Sequence, residues 1–230
     1  EINEHAAPRA AWPGVCEGID LIGSMQVQSK CTPAGNLCNG SPAADSVPGM
    51  IAAGAMATVI GPAGRREVPV AEIPAGPGRT TLAKGEVITT IHLPKRPARA
   101  GDAYVRFTPR TEMDIAVVGV GVNLVLDADG ICTEAHVAVG AVAPTARMVP
   151  EAGAALVGTR VDAEALETAA EAVRAAIGAA GGTAAIALGD LATDAGAETV
   201  MTAANAAFGG IDILVNNLGN FEPFVPVWTE

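Results

Sequence analysis

Four side chains in the stretch "TPAGNLCNGSPAADS" could act together on a polar ligand. Thr32, Asn36 and Ser41 offer hydroxyl or amide groups, and Asp45 offers an acceptor for a ribose hydroxyl or an amide. Ala34, Gly35 and Gly40 are small enough to let backbone approach a ligand closely. Successive backbone N–H groups in such a loop can hold a pyrophosphate without a lysine. A plain surface loop has the same composition, and the residues alone leave both readings open.

Other patterns fail as sites. No G-x-x-x-x-G-K phosphate loop and no G-x-S-x-G nucleophile turn occurs. "GVGVNL" begins like a dinucleotide fingerprint, but Leu124 stands where the third glycine belongs, and the stretch lies inside a strand. Glu134 and His136 share one strand face, which reads as a solvated pair. Cys16, Cys31, Cys38 and Cys132 show no C-x-x-C spacing, and His5, His92 and His136 are scattered, so no zinc site is expected. "IDILVNNLGN", at 211–220, has the form of a buried strand ending at a nucleotide site.

The elements that would position these groups follow from periodicity. "SVPGMIAAGAMATVIG" starts as a short helix and ends as a strand, residues 61–81 read as connecting loops, and "GEVITTIHLP" reads as a strand stopped by Pro94. "IAVVGVGVNLVL" and "ICTEAHVAVGAV" alternate on either side of an Asp/Gly turn, which predicts an antiparallel hairpin. Its faces would carry Val118, Val120, Val122, Leu124 and Leu126, then Ile131, Val137 and Val139, with Cys132, Glu134 and His136 opposite. "AYVRFTPR" supplies a third strand. A helix over 162–177, capped by Asp162 and ended near Gly178, would turn Leu166, Ala170, Val173 and Ile177 inward. Beyond it, "TAAIALGD", a helix with Ala197, Val200, Ala204 and Phe208 inward, and "IDILV" predict a parallel strand–helix–strand unit.

Composition sets the class. Of 230 residues, 50% are hydrophobic and 17% charged, so a buried core is feasible. Aromatics are only 3%, so Ala, Val, Ile and Leu must fill it. A net charge of −11 argues against a nucleic-acid surface. The longest apolar run is too short to span a bilayer. No secretory signal is visible, so reduced thiols and a cytoplasmic location are expected. Opening on Glu1 rather than Met points to a piece of a longer chain.

"GSMQVQSKCTPAGNLCNGSPAADSVPGM" closely resembles the flavin-binding subunit of the molybdenum hydroxylases, the group that includes aerobic carbon monoxide dehydrogenase and xanthine dehydrogenase. The resemblance continues in order through "AYVRFTPRTEMDIAVVGVGVNL" and "GICTEAHVAVGAVAPTARM" to about residue 177. It implies that Thr32, Ala34, Gly35 and Asn36 wrap an FAD. Ser41 and Asp45 would hydrogen-bond it, and Arg106 would occupy the basic position near the flavin. It also implies an iron–sulfur subunit and a molybdenum-cofactor subunit as partners, with electrons passing through FAD to an acceptor. Three departures stand out: Ala34 replaces the first glycine of the usual pair, Pro33 precedes it, and Gln28-Ser29 replaces Arg-Asn. The family's first lobe, with its own pyrophosphate loop, would lie upstream of residue 12.

The tail, about 178–230, resembles the middle of a short-chain dehydrogenase/reductase. That likeness implies an adenine contact at Asp190 and a strand end at Asn216, Asn217, Leu218 and Gly219. Such an enzyme needs a T-G-x-x-x-G-x-G loop and a Tyr with a Lys four residues on; the only tyrosine is Tyr104, followed by Thr108. Dehydrogenase activity of that kind is therefore not expected from this chain. The expected organisation is a partial FAD-binding domain over 1–95, an α+β domain over 101–177, and a fused Rossmann-like fragment over 178–230. The fold class is α+β, with a small antiparallel three-stranded sheet and helices, followed by a truncated βαβ unit.

Overall fold

The computed structural model describes residues 2–108, 114–187 and 193–210. Two compact units divide the chain, Glu1–Ile186 and Ala187–Glu230.

The first unit opens with five short helices: α1 Ala6–Ala11, α2 Pro13–Asp20, α3 Met25–Gln28, α4 Pro33–Cys38 and α5 Ser46–Ala52. Pro13 and Pro33 sit in the first turns of α2 and α4, where a missing N–H is harmless. Strands β1 Met56–Gly61, β2 Gly64–Pro69, β3 Pro74–Gly76, β4 Arg79–Thr80 and β5 Val87–His92 follow. β1 is central in the order β2-β1-β5, and β3 pairs with β4. Residues 61–81 are thus largely strand, not the connecting loops their Pro and Gly content predicts. Their prolines and glycines mark the ends of very short strands. Arg65, Arg66 and Glu67 pair across or along β2 and keep that edge charged.

A second antiparallel sheet is formed by β6 Ala100–Phe107, β7 Val118–Leu126, β8 Cys132–Gly140 and β9 Arg147–Met148, in that order. It has four strands where three were expected; β9 is a two-residue edge that pairs Arg147 and Met148 with β8. The Asp127–Gly130 turn behaves as its sequence predicts. Asp127 Oδ1 accepts from the N–H groups of Asp129 and Ile131, and Gly130 has φ +80°.

One expected face is corrected at this hairpin. Val125 pairs with Glu134 but Leu126 pairs with Cys132, so Thr133 is the extra residue of a bulge. The bulge returns Cys132 to the face of Val137 and Val139, where it is 1% exposed. Cys132 is a core residue, separated from Glu134 and His136.

The two sheet faces pack differently. One carries Gly121, Asn123 and Ala138 against α5 and α2; their cluster includes Val15, Ile19, Val47, Met50 and Ile51, together with Val59 of β1. The other face carries Val137 and Val139 against α6 Pro150–Leu156 and α7 Ala163–Ala179. Asp162 caps α7 by accepting from the Ala165 N–H at 3.0 Å. Helix α7 turns Ala165 and Ala169 fully inward; of the expected stripe Ala170, Val173 and Ile177 are half-buried, while Leu166 is 51% exposed. Small side chains let α7 lie close on α6; a leucine at that contact would hold the helices apart.

The connection between β5 and β6 is tied down. Arg96 lies 4.7 Å from the centroid of the Trp12 ring and pairs with Asp102 at 2.5 Å. It also donates to the carbonyl of Ala11. Trp12 Nε1 donates to the Pro94 carbonyl at 3.3 Å.

In the second unit, α8 Asp194–Phe208 is capped by Thr193, which accepts from the Gly196 N–H, and it ends at left-handed Gly209. Ala197, Val200 and Ala204 are half-buried, but Phe208 is exposed and no residue of the helix is fully buried. The expected strand "TAAIALGD" shows no strand geometry over 183–187, and its remainder is outside the described residues. "IDILV", Asp190 and the Asn216–Gly219 block also lie outside them.

Candidate functional site

The stretch 32–45 is not an open loop. Thr32 is the N-cap of α4 and accepts from the Gly35 N–H at 2.9 Å, while Asn36 N–H bonds to the Thr32 carbonyl. Ala34 and Gly35 both have negative φ, so Ala34 fits its place without backbone strain. Asn36 Oδ1 accepts from Ser46 Oγ at 2.7 Å, which ties α4 to the start of α5. Ser41 Oγ accepts from the Ala43 N–H at 3.2 Å and closes the turn between them. A cavity of about 810 Å³ opens beside Thr32 and Pro33; Arg9, Asp20, Gln28 and Lys30 also border it.

Asp45 and Arg106, far apart in sequence, meet. Arg106 Nη1 donates to Asp45 Oδ2 at 2.7 Å, and Tyr104 Oη donates to Asp45 Oδ1 at 2.9 Å. The ion pair is buried, with side chains 12% and 11% exposed. Burial pushes the Asp45 carboxyl above its ordinary range, against the Tyr104 hydrogen bond and the Arg106 charge. Burial and the neighbouring carboxylate push the Tyr104 phenol well above its own range.

Strand alternation explains the meeting. Asp102, Tyr104 and Arg106 stand at every second position of β6 and share the face toward α2 and α5. Asp102 accepts from the Val15 N–H, Glu17 accepts from the Tyr104 N–H, and Arg106 also reaches the Leu21 carbonyl. Gly119 on β7 makes the room: a Cβ there would strike the Tyr104 hydroxyl. Asp102, Tyr104 and Glu17 were not among the candidates read from sequence. The period-two pattern of "DAYVR" carried the signal for Asp102 and Tyr104; nothing local marked Glu17.

Of the expected residues, the structure brings Asp45 to Arg106 and sets Asn36 against Ser46. Thr32 stands at the cavity, while Ser41 closes a turn on its own. Glu134 and His136 lie 3.6 Å apart on the surface, with His136 Nδ1 near the Ala52 carbonyl. Among the described residues, no cluster of His, Cys, Asp or Glu could hold a metal ion.

Two family profiles match in sequence. One, the FAD binding domain in molybdopterin dehydrogenase, covers residues 1–96; the other, the CO dehydrogenase flavoprotein C-terminal domain, covers residues 103–186. Carbon monoxide dehydrogenase from Hydrogenophaga pseudoflava, lacking the Mo-pyranopterin moiety of its molybdenum cofactor, superposes with TM-score 0.73 at 31% identity. The match covers 90% of this chain and 71% of that one. The chain belongs to the FAD-binding subunit family of the molybdenum hydroxylases.

Members of this flavoprotein family include the carbon monoxide dehydrogenase medium chain of Afipia carboxidovorans, 34% identical over 70% of this chain and 55% of the relative. The xanthine dehydrogenase FAD-binding subunit of Escherichia coli O157:H7 is 30% identical over 63% and 50%. The chain spans about half the length of the curated relatives it matches. The cofactor of this flavoprotein family is FAD. Of the residues expected to hold it, Thr32 borders the volume of about 810 Å³, whose lining carries hydroxyl, amide, cationic and acidic groups, and Asn36, Ser41, Asp45 and Arg106 lie outside that lining.

Proposed function

We propose that this chain is the flavin-holding portion of an electron-transfer subunit. In this reading Thr32, Ala34, Gly35 and Asn36 wrap the FAD, Ser41 and Asp45 hydrogen-bond it, and Arg106 sets the charge near the ring. Bound FAD would accept electrons from an iron–sulfur partner serving a molybdenum subunit and release them to an acceptor. The protein's part is binding, orientation and electrostatics, with no side-chain nucleophile. The observation that carries the reading is the capped α4 turn, with Thr32 bordering a cavity of about 810 Å³. The chain is soluble and cytoplasmic in this reading; among the described residues no helix is long and apolar enough to cross a membrane.

A second reading is a non-catalytic piece that docks on partner subunits. It is favoured by the fact that both Asp45 oxygens are already engaged by Tyr104 and Arg106. Residues 178–230 are read as a fused short-chain dehydrogenase/reductase fragment without activity of its own.

The visible spectrum of the purified chain, titrated with FAD, separates these readings. Yellow protein with bound flavin, and binding weakened at least tenfold by Asp45→Ala, supports the first. Protein that stays colourless with excess FAD supports the second. Turnover of NAD(P)H with a carbonyl substrate would overturn both.

A further inference from the structure

Asp45 stands at the N-cap of α5, yet its side chain caps nothing. The helix has no donor to give it: Pro48, the third residue of α5, lacks an N–H, and the Val47 N–H bonds the Ala44 carbonyl at 3.0 Å. The carboxylate turns instead to β6, which holds both its oxygens. Tyr104 Oη donates to Oδ1 and Arg106 Nη1 to Oδ2. Arg106 already supplies the counter-charge. The phenol adds a second point, and two points fix the plane of a carboxylate whose own torsion is soft. β7 keeps Gly119 small where that hydroxyl lies. A carboxylate accepts about four hydrogen bonds, so two positions remain for another donor. The next residue, Ser46, donates to Asn36 of α4, the helix that Thr32 caps beside the cavity.

The geometry points to Tyr104 as a positioning residue for the flavin, one that aims the Asp45 carboxylate at the cofactor and touches no ligand itself. This rests on the reading of Asp45 as a flavin contact. Tyr104 is 6% exposed, so its ring is core and its hydroxyl serves Asp45. The same hydrogen bond favours the ionised carboxylate, against the burial that raises it. Arg106 favours the charged form as well. The other elements packed here bring little charge: α5 and β7 carry no titratable side chain, α4 only the exposed thiol of Cys38, and α2 faces Asp45 with Gly18. Loss of the hydroxyl therefore frees the carboxylate to rotate and lets it take a proton at higher pH. Both changes remove an oriented acceptor.

The test titrates the full chain with FAD, followed by flavin absorbance, in the parent, Tyr104→Phe, Asp45→Ala and the double variant. Tyr104→Phe should weaken binding about threefold to tenfold, with an unchanged circular dichroism spectrum. In the Asp45→Ala background it should weaken binding no further, because it acts through that carboxylate. As pH falls from about 8 to 5, the affinity of Tyr104→Phe should begin to drop at a higher pH than the parent's. A general loss of packing would lower affinity alike at every pH. Tyr104 is the only tyrosine, so biosynthetic fluorotyrosine labels it alone without removing the hydroxyl. Its fluorine resonance should move when FAD binds the parent and stay in place in Asp45→Ala. Parent affinity in Tyr104→Phe, additive losses in the double variant, a pH profile parallel to the parent's, or a fluorine resonance that FAD leaves unmoved overturns the proposal. Parent-like affinity in Asp45→Ala would instead overturn Asp45 as a flavin contact, and the proposal with it. A parent that stays colourless with excess FAD overturns the flavin reading as a whole.

Discussion

Arg106 donates to Asp45 at 2.7 Å, and this contact joins a strand of the second sheet to the chain just before α5. Removing the guanidinium leaves a buried carboxylate without its counter-charge. Arg106→Met should cost about 3–5 kcal/mol in urea denaturation, and adding Asp45→Asn should recover most of the loss. The pH sign follows from the raised carboxyl of Asp45. A raised folded value contributes stability that is fully present below the ordinary carboxyl range and is lost as pH rises through the folded value. Removing Arg106 raises it further, so the variant's deficit should be larger at neutral pH than in mild acid. An equal deficit at both would show that Asp45 is not the group at fault.

Gly119→Ala tests the space held for Tyr104. The new methyl meets the Tyr104 hydroxyl, and overpacking of this kind costs about 1–3 kcal/mol. Tyr104→Phe removes the obstructing oxygen, so Gly119→Ala should cost measurably less in that background. Additive losses in the thermal midpoints would place the strain elsewhere.

Helix α7 makes opposite predictions at neighbouring positions. Leu166→Glu on the exposed side should change stability by less than about 0.5 kcal/mol. Ala169→Leu, against α6, should cost about 1–3 kcal/mol. Chemical denaturation of the two variants reads the difference directly, and the reverse ranking would mean that the helix packs by its leucine stripe.

Leu166 shows where sequence reading runs out. It belongs by periodicity to the stripe with Ala170, Val173 and Ile177, and Val173 does pack in the cluster, yet the close contact with α6 selects Ala165 and Ala169 and leaves Leu166 outside. Periodicity sees transfer energy but not the distance to a neighbour. The β7–β8 hairpin was legible because alternation and an Asp/Gly turn are local signals. The bulge at Thr133 was not, since one inserted residue shifts Cys132 to the other face without changing composition. At the site, the turn formers of 32–45 were legible as a block, and Arg106 came from the family likeness. Their joining through Asp45 and Tyr104 depends on which strand lies beside α5, and nothing local encodes that.

Acid sensitivity should locate at the first sheet. Glu86 is held down to about 2, chiefly by hydrogen bonds from Arg66, helped by the Ala83 N–H. A depressed carboxyl contributes stability above its ordinary range and loses it as pH falls toward the folded value. Glu86→Gln should therefore flatten the fall in stability between about pH 4.5 and 2. A titration curve as steep as the parent's in that window would assign the acid response to other carboxylates.

The stretch "LPKRPARAG" has the composition of a flexible tether and offers trypsin several basic residues. Arg96 is stacked on Trp12 and clasped by Asp102, and Trp12 in turn holds the Pro94 carbonyl. Those contacts run between side chains and to carbonyls on either side of the passage, so they do not depend on an unbroken backbone. A nick there would leave the two pieces clipped together, migrating as one species until denatured. The boundary between the two family regions is thus a rivet, and whatever the first region holds keeps a set position over the second.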